Sequence, residues 1–563
     1  MSHEPEALVE YGLLLRKQHM SVDTRRVLDR ALELAEEQGR DLPPRSRARL
    51  HFGLAKVYER WWEDWHNAVW APPTAEPVRC FRQNRGSFAD RAVSCPEQLW
   101  THVERHVSIE DERHEERLRM MEHLREALEA DPSHVEAAVH LLGHLADAGE
   151  WEAYMERAGT LVETAPAHPW AWIFLGLGLH EQAREEAAEG AFQRGLALLP
   201  EEGRRVFRDV RPLLTEEARE GFDTLPEPEQ AAAREVFYRT KDPVFLTEEN
   251  ERRLEHWSRV AWAELKFGAP ASGLPGWETP RGRIWIRYGR PARRFNLGPG
   301  QIYWLYGPRG PVFVFEKTRT YRRTWMTDLT FEYAEDLEST APEHYRPRTV
   351  SALHPLPHQR VRFRGSRPEL TRVEIYARPP LDSLAVAEGA PLEAGVFVFD
   401  GAFEPVWERR HHAFATEDGL LLTYRFELPR GAYHYGLEAR LEAGSAVSRP
   451  LARARERLTT TAYPRGTLAL SDLLLARRIV PRTETPRSRE ELVIDPSRTL
   501  RFQPGEPVHM YFEVYGLDTD ASGLGRYRAR LAVEDSTRQN VVERIVSAFL
   551  PNLIRPEGGQ PWV

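Results

Sequence analysis

Apolar positions recur every three or four residues along the first half of the chain, and past residue 282 they begin to alternate. The first period is that of an amphipathic helix, the second that of a half-buried strand. Helices are therefore expected through residue 268 and strands behind them. Within the helical part, Pro132, Pro166 and Pro200 stand 34 residues apart, each after an alanine- and leucine-rich stretch: "LREALEADP", "RAGTLVETAP" and "FQRGLALLP". In the last unit Trp172, Leu175, Gly176 and Leu179 share one face of a first helix. Ala188, Phe192 and Gly195 line a second helix before Pro200. Small residues let antiparallel helices approach, large ones fill the space beside them, and the proline stops the second helix.

This spacing resembles the tetratricopeptide repeat. Residues 135–168 and 169–202 read as two repeats of an α-solenoid spanning 1–202, with half of another over 116–134. Tyr154 stands where a small residue is expected. Residues 22–66 read as a divergent repeat pair, and 67–98 as an insertion. Helices continue over 203–268, where Thr247 is an expected N-cap with Glu248 and Glu249 in the first turn. Leu254, Trp257, Val260, Ala261 and Leu265 then form a stripe ended by Gly268.

The alternating part opens with "GRIWIRYG", which reads as a strand with Arg283 and Arg287 on one face. "QIYWLYG" and "PVFVFEK" follow as the rest of a short antiparallel meander. Strand-like segments then dominate, among them "TRVEIYARPPL", "GVFVFDG", "LPRGAYHYGLEARL" (428–441) and "LGRYRARLAVE" (524–534). The last two echo each other around Tyr433 and Tyr527. Two immunoglobulin-type β-sandwich units are expected, over 351–462 and 463–563, the second of them short.

The ordered run "DPVFLTEENERRLEHWSRVAWAELKFG", "GWETPRGRIWIRYGRP", "IYWLYG" and "VFVFEK" resembles the GWxTD domain, a bacterial family. The match is detailed over 235–335 and sets a GWxTD-like α+β domain at 203–350. Members of that family frequently follow tetratricopeptide repeats and carry β-sandwich segments behind. The resemblance implies a fold rather than a reaction. Pro280 occupies the position of the family's aspartate, where it serves a turn before Arg281 and Gly282. Many members look exported, whereas "MSHEPEALVEYGLLLRKQHM" has acidic residues where an export signal needs basic ones. The chain as it stands reads as cytoplasmic, with a periplasmic or secreted location implied by the family.

Composition changes this picture little. The net charge of −9 at 563 residues gives no global pull toward nucleic acid, and no apolar run spans a membrane. Trp277 with Arg281, Arg283, Arg287 and Arg290, flanked by Arg293, Arg294 and the "NLGPG" loop, reads in two ways. It is either an anion- or glycan-binding strand face or a solvated surface, with Trp277 docked on the helix of Trp257. His102 and His106, at i and i+4 before Glu110, are metal candidates weighed against an exposed polar helix. His411 and His412 are adjacent and point to opposite faces of a strand. Cys80 and Cys95 are either bridged or independent thiols, and Trp61, Trp62, Trp65 and Trp70 are either core or a contact surface. No catalytic residue, metal or cofactor is expected. The leading expectation is a non-enzymatic scaffold binding protein partners through the solenoid. The alternative is an enzyme or a glycan- or anion-binding protein working from the GWxTD-like domain.

Overall fold

The computed structural model describes residues 4–66, 115–268, 274–296, 301–306, 311–317, 328–330, 347–415, 420–442, 448–484, 489–497 and 500–518, less positions 19, 501 and 504. Cys80, Cys95, Trp70, His102, His106, Glu110 and the strand expected at Tyr527 lie outside the described residues, as do the side chains of Trp61, Trp62 and Trp65. The chain forms two compact units where four segments were expected. One comprises 1–234 and 251–346, the other 235–250 and 347–563. The solenoid and the GWETP segment thus share a unit. The short stretch 235–250 leaves the helical neighbourhood in which its sequence places it and joins the β-rich unit.

The helical unit opens with α1 (Pro5–Lys17), α2 (Ser21–Glu37) and α3 (Pro44–His66), followed by α4 (Glu115–Ala130). The repeats themselves are α5 (Val135–Ala148) with α6 (Trp151–Thr164) and α7 (Pro169–Glu181) with α8 (Glu185–Leu198). Their packing follows the small-against-large expectation. A Cβ on Gly176 would come within 2.9 Å of the Phe192 ring, and one on Gly195 within 2.6 Å of Ile173. Ala188 and Phe192 are fully buried. The more exposed Trp172 donates its indole N–H to the Pro166 carbonyl at 2.9 Å, and Leu175 is half-buried. Tyr154 is accommodated rather than excluded. It is fully buried, donates to the Phe174 carbonyl, and occupies the space a side chain on Gly178 would need. The small residue has moved to the facing helix.

The two hairpin turns are built alike. Gly149 ends α5 at φ +74°, and 34 residues on Ala183 adopts φ +52°. Glycine takes this left-handed conformation freely, whereas a Cβ is crowded there.

Beyond Pro200 come α9 (Glu201–Arg208), a 3-10 turn at Arg211–Leu213, α10 (Glu216–Asp223) and α11 (Glu227–Lys241). Next is α12 (Glu251–Phe267), which starts four residues after Thr247. Thr247 does not cap it: its hydroxyl donates to the Val244 carbonyl inside a turn, so Glu248 and Glu249 precede the helix. The 3-10 turn Gly276–Glu278 and α13 (Pro280–Tyr288) follow. An antiparallel meander of β1 (Arg293–Asn296), β2 (Gln301–Leu305), β3 (Val312–Lys317) and β4 (Asp328–Thr330) completes the unit. "GRIWIRYG" is thus helix, not strand. Among the described residues no helix is long and apolar enough to cross a membrane.

In the second unit two sheets pack over one core. The first has β6 (His358–Arg364), β7 (Leu370–Ala377) and β10 (Leu422–Pro429) in the order β10-β7-β6. The second has β5 (Val350–Pro355), β8 (Pro391–Phe399), β9 (Pro405–Phe414), β11 (Gly431–Leu441) and β12 (Arg449–Thr460), ordered β5-β12-β11-β8-β9. Val373, Ile375, Tyr424 and Phe426 from one sheet meet Leu392, Val396, Tyr435 and Leu437 from the other. Tyr433 donates to the Pro429 carbonyl at 3.1 Å, pinning the β10–β11 corner. His411 and His412 do face opposite ways, the first against Tyr424, the second toward Glu442. Short strands β13 (Ala469–Leu470), β14 (Leu474–Pro481), β15 (Leu492–Pro496), β16 (His509–Tyr511) and β17 (Val514–Tyr515) form two small sheets. Leu474 on β14 packs on Val361 and Phe363 of β6, and Arg489 reaches the buried Glu374 of β7.

The repeat comparison makes Ala183→Gly a stabilising substitution. It should raise the urea midpoint of the helical unit by the equivalent of about 1 kcal/mol, read by far-UV circular dichroism. An unchanged or lower midpoint would mean that the turn carries no strain.

Candidate functional site

The GWETP segment is built around two glycines with no room for a side chain. A Cβ on Gly276 would lie 2.0 Å from the Ala263 carbonyl oxygen, and one on Gly282 would lie 1.9 Å from that of Gly276. Thr279 closes the turn. Its hydroxyl donates to the Gly276 carbonyl at 2.7 Å and accepts from the Gly282 N–H at 3.0 Å. With Thr279 as N-cap and Pro280 in the first turn, the chain starts a helix here. That Thr-Pro signal was present in the sequence, and the alternation of Ile284 and Ile286 against their neighbours masked it. Trp277 stacks on Trp170 of α7, ring centroids 5.8 Å apart, rather than on Trp257.

The five candidate residues do not converge. Arg287 is fully buried and donates to the carbonyls of Pro212 and Leu214 at 2.8 and 2.7 Å, so its fork is engaged by backbone. Arg281 lies over the Phe267 ring at 4.9 Å. Arg283 is exposed, and so is Arg290, whose guanidinium sits 5.7 Å from the Trp262 ring. Arg294 approaches Asp147 at 3.6 Å. Much of the "NLGPG" loop and the Arg293 side chain lie outside the described residues.

The structure instead assembles a buried ionic chain that sequence reading missed. His180 of α7 is held through Nδ1 by Glu185 at 2.6 Å and through Nε2 by Glu255 of α12 at 3.0 Å. Glu255 in turn pairs with Arg259 at 2.6 Å. Arg259 donates to the carbonyls of Ile286 and Arg287 in the last turn of α13, where a helix has no further N–H of its own to offer. Burial opposes charging His180, but the hydrogen bonds and charges of the two carboxylates outweigh it and raise its pKa to about 9. The spacing of His180 and Glu185 was visible, but a partner 75 residues away was not.

The chain lies where α12 crosses the repeats. Lys266 pairs with Asp147 at 2.9 Å and donates to the Gly143 carbonyl of α5. Asp147, though half-buried, is held well below the usual carboxylate range by Lys266 and Arg294. Trp262 meets Trp151 of α6 and stacks on Trp285 at 4.8 Å. Trp257 meets the Phe192 edge of α8 and donates to the Phe207 carbonyl of α9 at 3.0 Å. A helix with a single apolar stripe is thereby buried on its polar side too, including Arg252, Glu255, His256 and Arg259.

Among solved structures, the chain is similar to YrrB, described as a TPR protein with an unusual peptide-binding site. The identity is 16% over 35% of this chain and 87% of that one, with a TM-score of 0.18. A likeness of that size carries no argument about function. The helical-repeat assignment rests here on the period of 34 and the packing of the hairpins. No family model matches the chain, and no curated protein matches it.

A folded-state pKa above the unfolded value near 6.5 means that His180 stabilises fully below pH 6.5 and loses that contribution as pH rises through about 9. Stability of the helical unit should therefore fall on the order of 3 kcal/mol between these limits, and His180→Gln should flatten the dependence in a pH series of urea melts. Gly276→Ala should cost about 3 kcal/mol or more, because the obstacle is backbone. Trp277→Ala should cost about 2 kcal/mol, and thermal melts distinguish the two.

Proposed function

We propose that the protein is a non-enzymatic scaffold that binds protein partners. In this reading it combines a tetratricopeptide-type solenoid, a GWxTD-like middle segment and an immunoglobulin-type β-sandwich. The observation that carries it is the reception of α12. The repeats and the following α9 take a helix across α5, α7 and α9 by ion pairs toward its two ends and tryptophans between, which is helix-in-groove recognition by the chain's own segment. A repeat array of this construction is suited to receiving further helices along its length.

The sandwich reading is supported by the strand order and by Tyr433, whose hydroxyl bonds back four residues at the β10–β11 corner as in immunoglobulin-type domains. The edge strand β9 carries Glu408, Arg409, Arg410 and His412, the charged residues that keep an edge from unspecific pairing. In the GWxTD-like segment the motif residues Gly276, Thr279, Gly282 and Arg287 serve the fold. Trp277, half-buried, and the exposed Arg283 and Arg290 are the candidates left open to a ligand.

Since α12 is packed into the repeats, deleting them would strip its buried face and create false interactions. Substitution of exposed apolar residues avoids this. Tyr11 and Leu14 on α1 and Leu118 on α4 are 52%, 51% and 62% exposed. Affinity capture from native extract with the wild-type chain should recover specific proteins. The variant Tyr11→Glu, Leu14→Glu, Leu118→Glu, equally stable, should recover them at least tenfold less well. Capture indifferent to that variant, together with glycan or phosphate binding lost in Arg283→Ala, Arg290→Ala, would replace the scaffold with the ligand-binding alternative.

A further inference from the structure

Three side chains of types that can ligate a metal converge between α3 and α4, none of them from the GWETP segment or the His102 and His106 pair. His51 of α3 and His123 of α4 bring their Nδ1 atoms within 3.2 Å of each other. Glu126, one turn beyond His123, places one carboxylate oxygen 2.8 Å from the first and 2.9 Å from the second. All three atoms thus form a small triangle, the one such group of three among the described residues. We propose that this triangle is a binding site for a zinc-class divalent cation, with His51, His123 and Glu126 as its protein ligands.

The hydrogen-bonding alternatives leave a conflict that a cation removes. If both imidazoles carry a proton on Nδ1, two N–H groups crowd onto one oxygen from 3.2 Å apart. If either Nδ1 is bare, its lone pair faces the carboxylate oxygen at less than 3 Å. A cation accepts all three lone pairs at once. Zinc bonds to histidine nitrogen and carboxylate oxygen are about 2.0–2.1 Å long, which sets ligand atoms about 3.3 Å apart on a tetrahedron. The triangle needs to open by only a few tenths of an ångström.

The surroundings suit such a site. The His123 ring is stacked on Tyr58, centroids 5.5 Å apart and planes 21° from parallel, which restrains its orientation. Exposure rises across the set, from 4% for the His51 side chain through 18% for His123 to 36% for Glu126. Two ligands are thus held in the protein, and the set reaches the surface at Glu126. Two neutral imidazoles and one carboxylate favour zinc over magnesium or calcium, which prefer all-oxygen sets. Three protein ligands leave a fourth coordination position to water or to a donor from a bound molecule.

The test is equilibrium dialysis of the full chain, stripped with a chelator, against zinc chloride, alongside the visible spectrum of the cobalt-loaded protein. Cys80→Ser, Cys95→Ser in the background removes thiolate sites. The wild-type residues at 51, 123 and 126 should bind one equivalent that Glu126→Gln weakens at least tenfold. That glutamine keeps the volume and an oxygen to accept from the imidazoles, so the fold is preserved, and circular dichroism checks it. Glu126→His, which supplies a replacement ligand, should restore binding and the d–d bands of tetrahedral cobalt. Loss in the first variant with rescue in the second supports the site. Zinc binding that is equal in all three proteins overturns it, as does a background protein that binds no zinc at submillimolar concentration.

Discussion

The helical unit depends on a histidine that is charged where charge is costly. His180 joins two carboxylates deep between α7, α8 and α12, and one of those carboxylates orients Arg259 onto the last-turn carbonyls of α13. Each link satisfies the next. The imidazolium offsets the cost of burying Glu185 and Glu255, and Arg259 supplies donors to a buried helix end. Breaking the chain at any point leaves a buried charge unpaired, so repeats, α12 and the GWETP turn are held as one cooperative element. Gly289, at φ +71°, leaves the space that the Arg259 guanidinium fills.

The β-rich unit solves a similar problem with different groups. Glu438 of β11 is fully buried, accepts the N–H groups of Phe245 and Leu246 at 2.7 and 3.1 Å, and pairs with Arg455 of β12 at 3.1 Å. Arg455 also donates to the Asp242 carbonyl and lies 3.9 Å from the Phe245 ring. The stretch 235–250 is thus tied to the sheet by a charge that serves its backbone as well as its side chains. Gly395 and Gly436 leave room for Leu246 and Phe245 against the strands.

These networks bear on function because they take the motif arginines and histidines out of circulation. Arg259 and Arg287 point into carbonyls, and His180 is enclosed. Among the described residues of the helical unit, features open to other molecules include the exposed apolar side chains Tyr11, Leu14 and Leu118, Arg283 and Arg290 at the surface, and the triangle of His51, His123 and Glu126. A repeat scaffold with a metal position between α3 and α4 is a coherent reading of those features.

The sequence by itself determined the repeats, since a period of 34 with Gly176, Ala188 and Phe192 in place is a local statement about which helices can touch. It also determined the meander at "QIYWLYG" and "PVFVFEK", the opposite facing of His411 and His412, and the alternation behind the sandwich core. Tertiary structure decided the rest. Whether "GRIWIRYG" became helix or strand turned on the Thr279 cap and on the space beside Ala263, which periodicity alone does not register. The position of Tyr154 was settled by a glycine in the facing helix. His180 and Glu255, like His51 and His123, are 75 and 72 residues apart. Such pairs leave no spacing to read, because their geometry comes from how separate helices pack, and only the folded chain brings their atoms within reach.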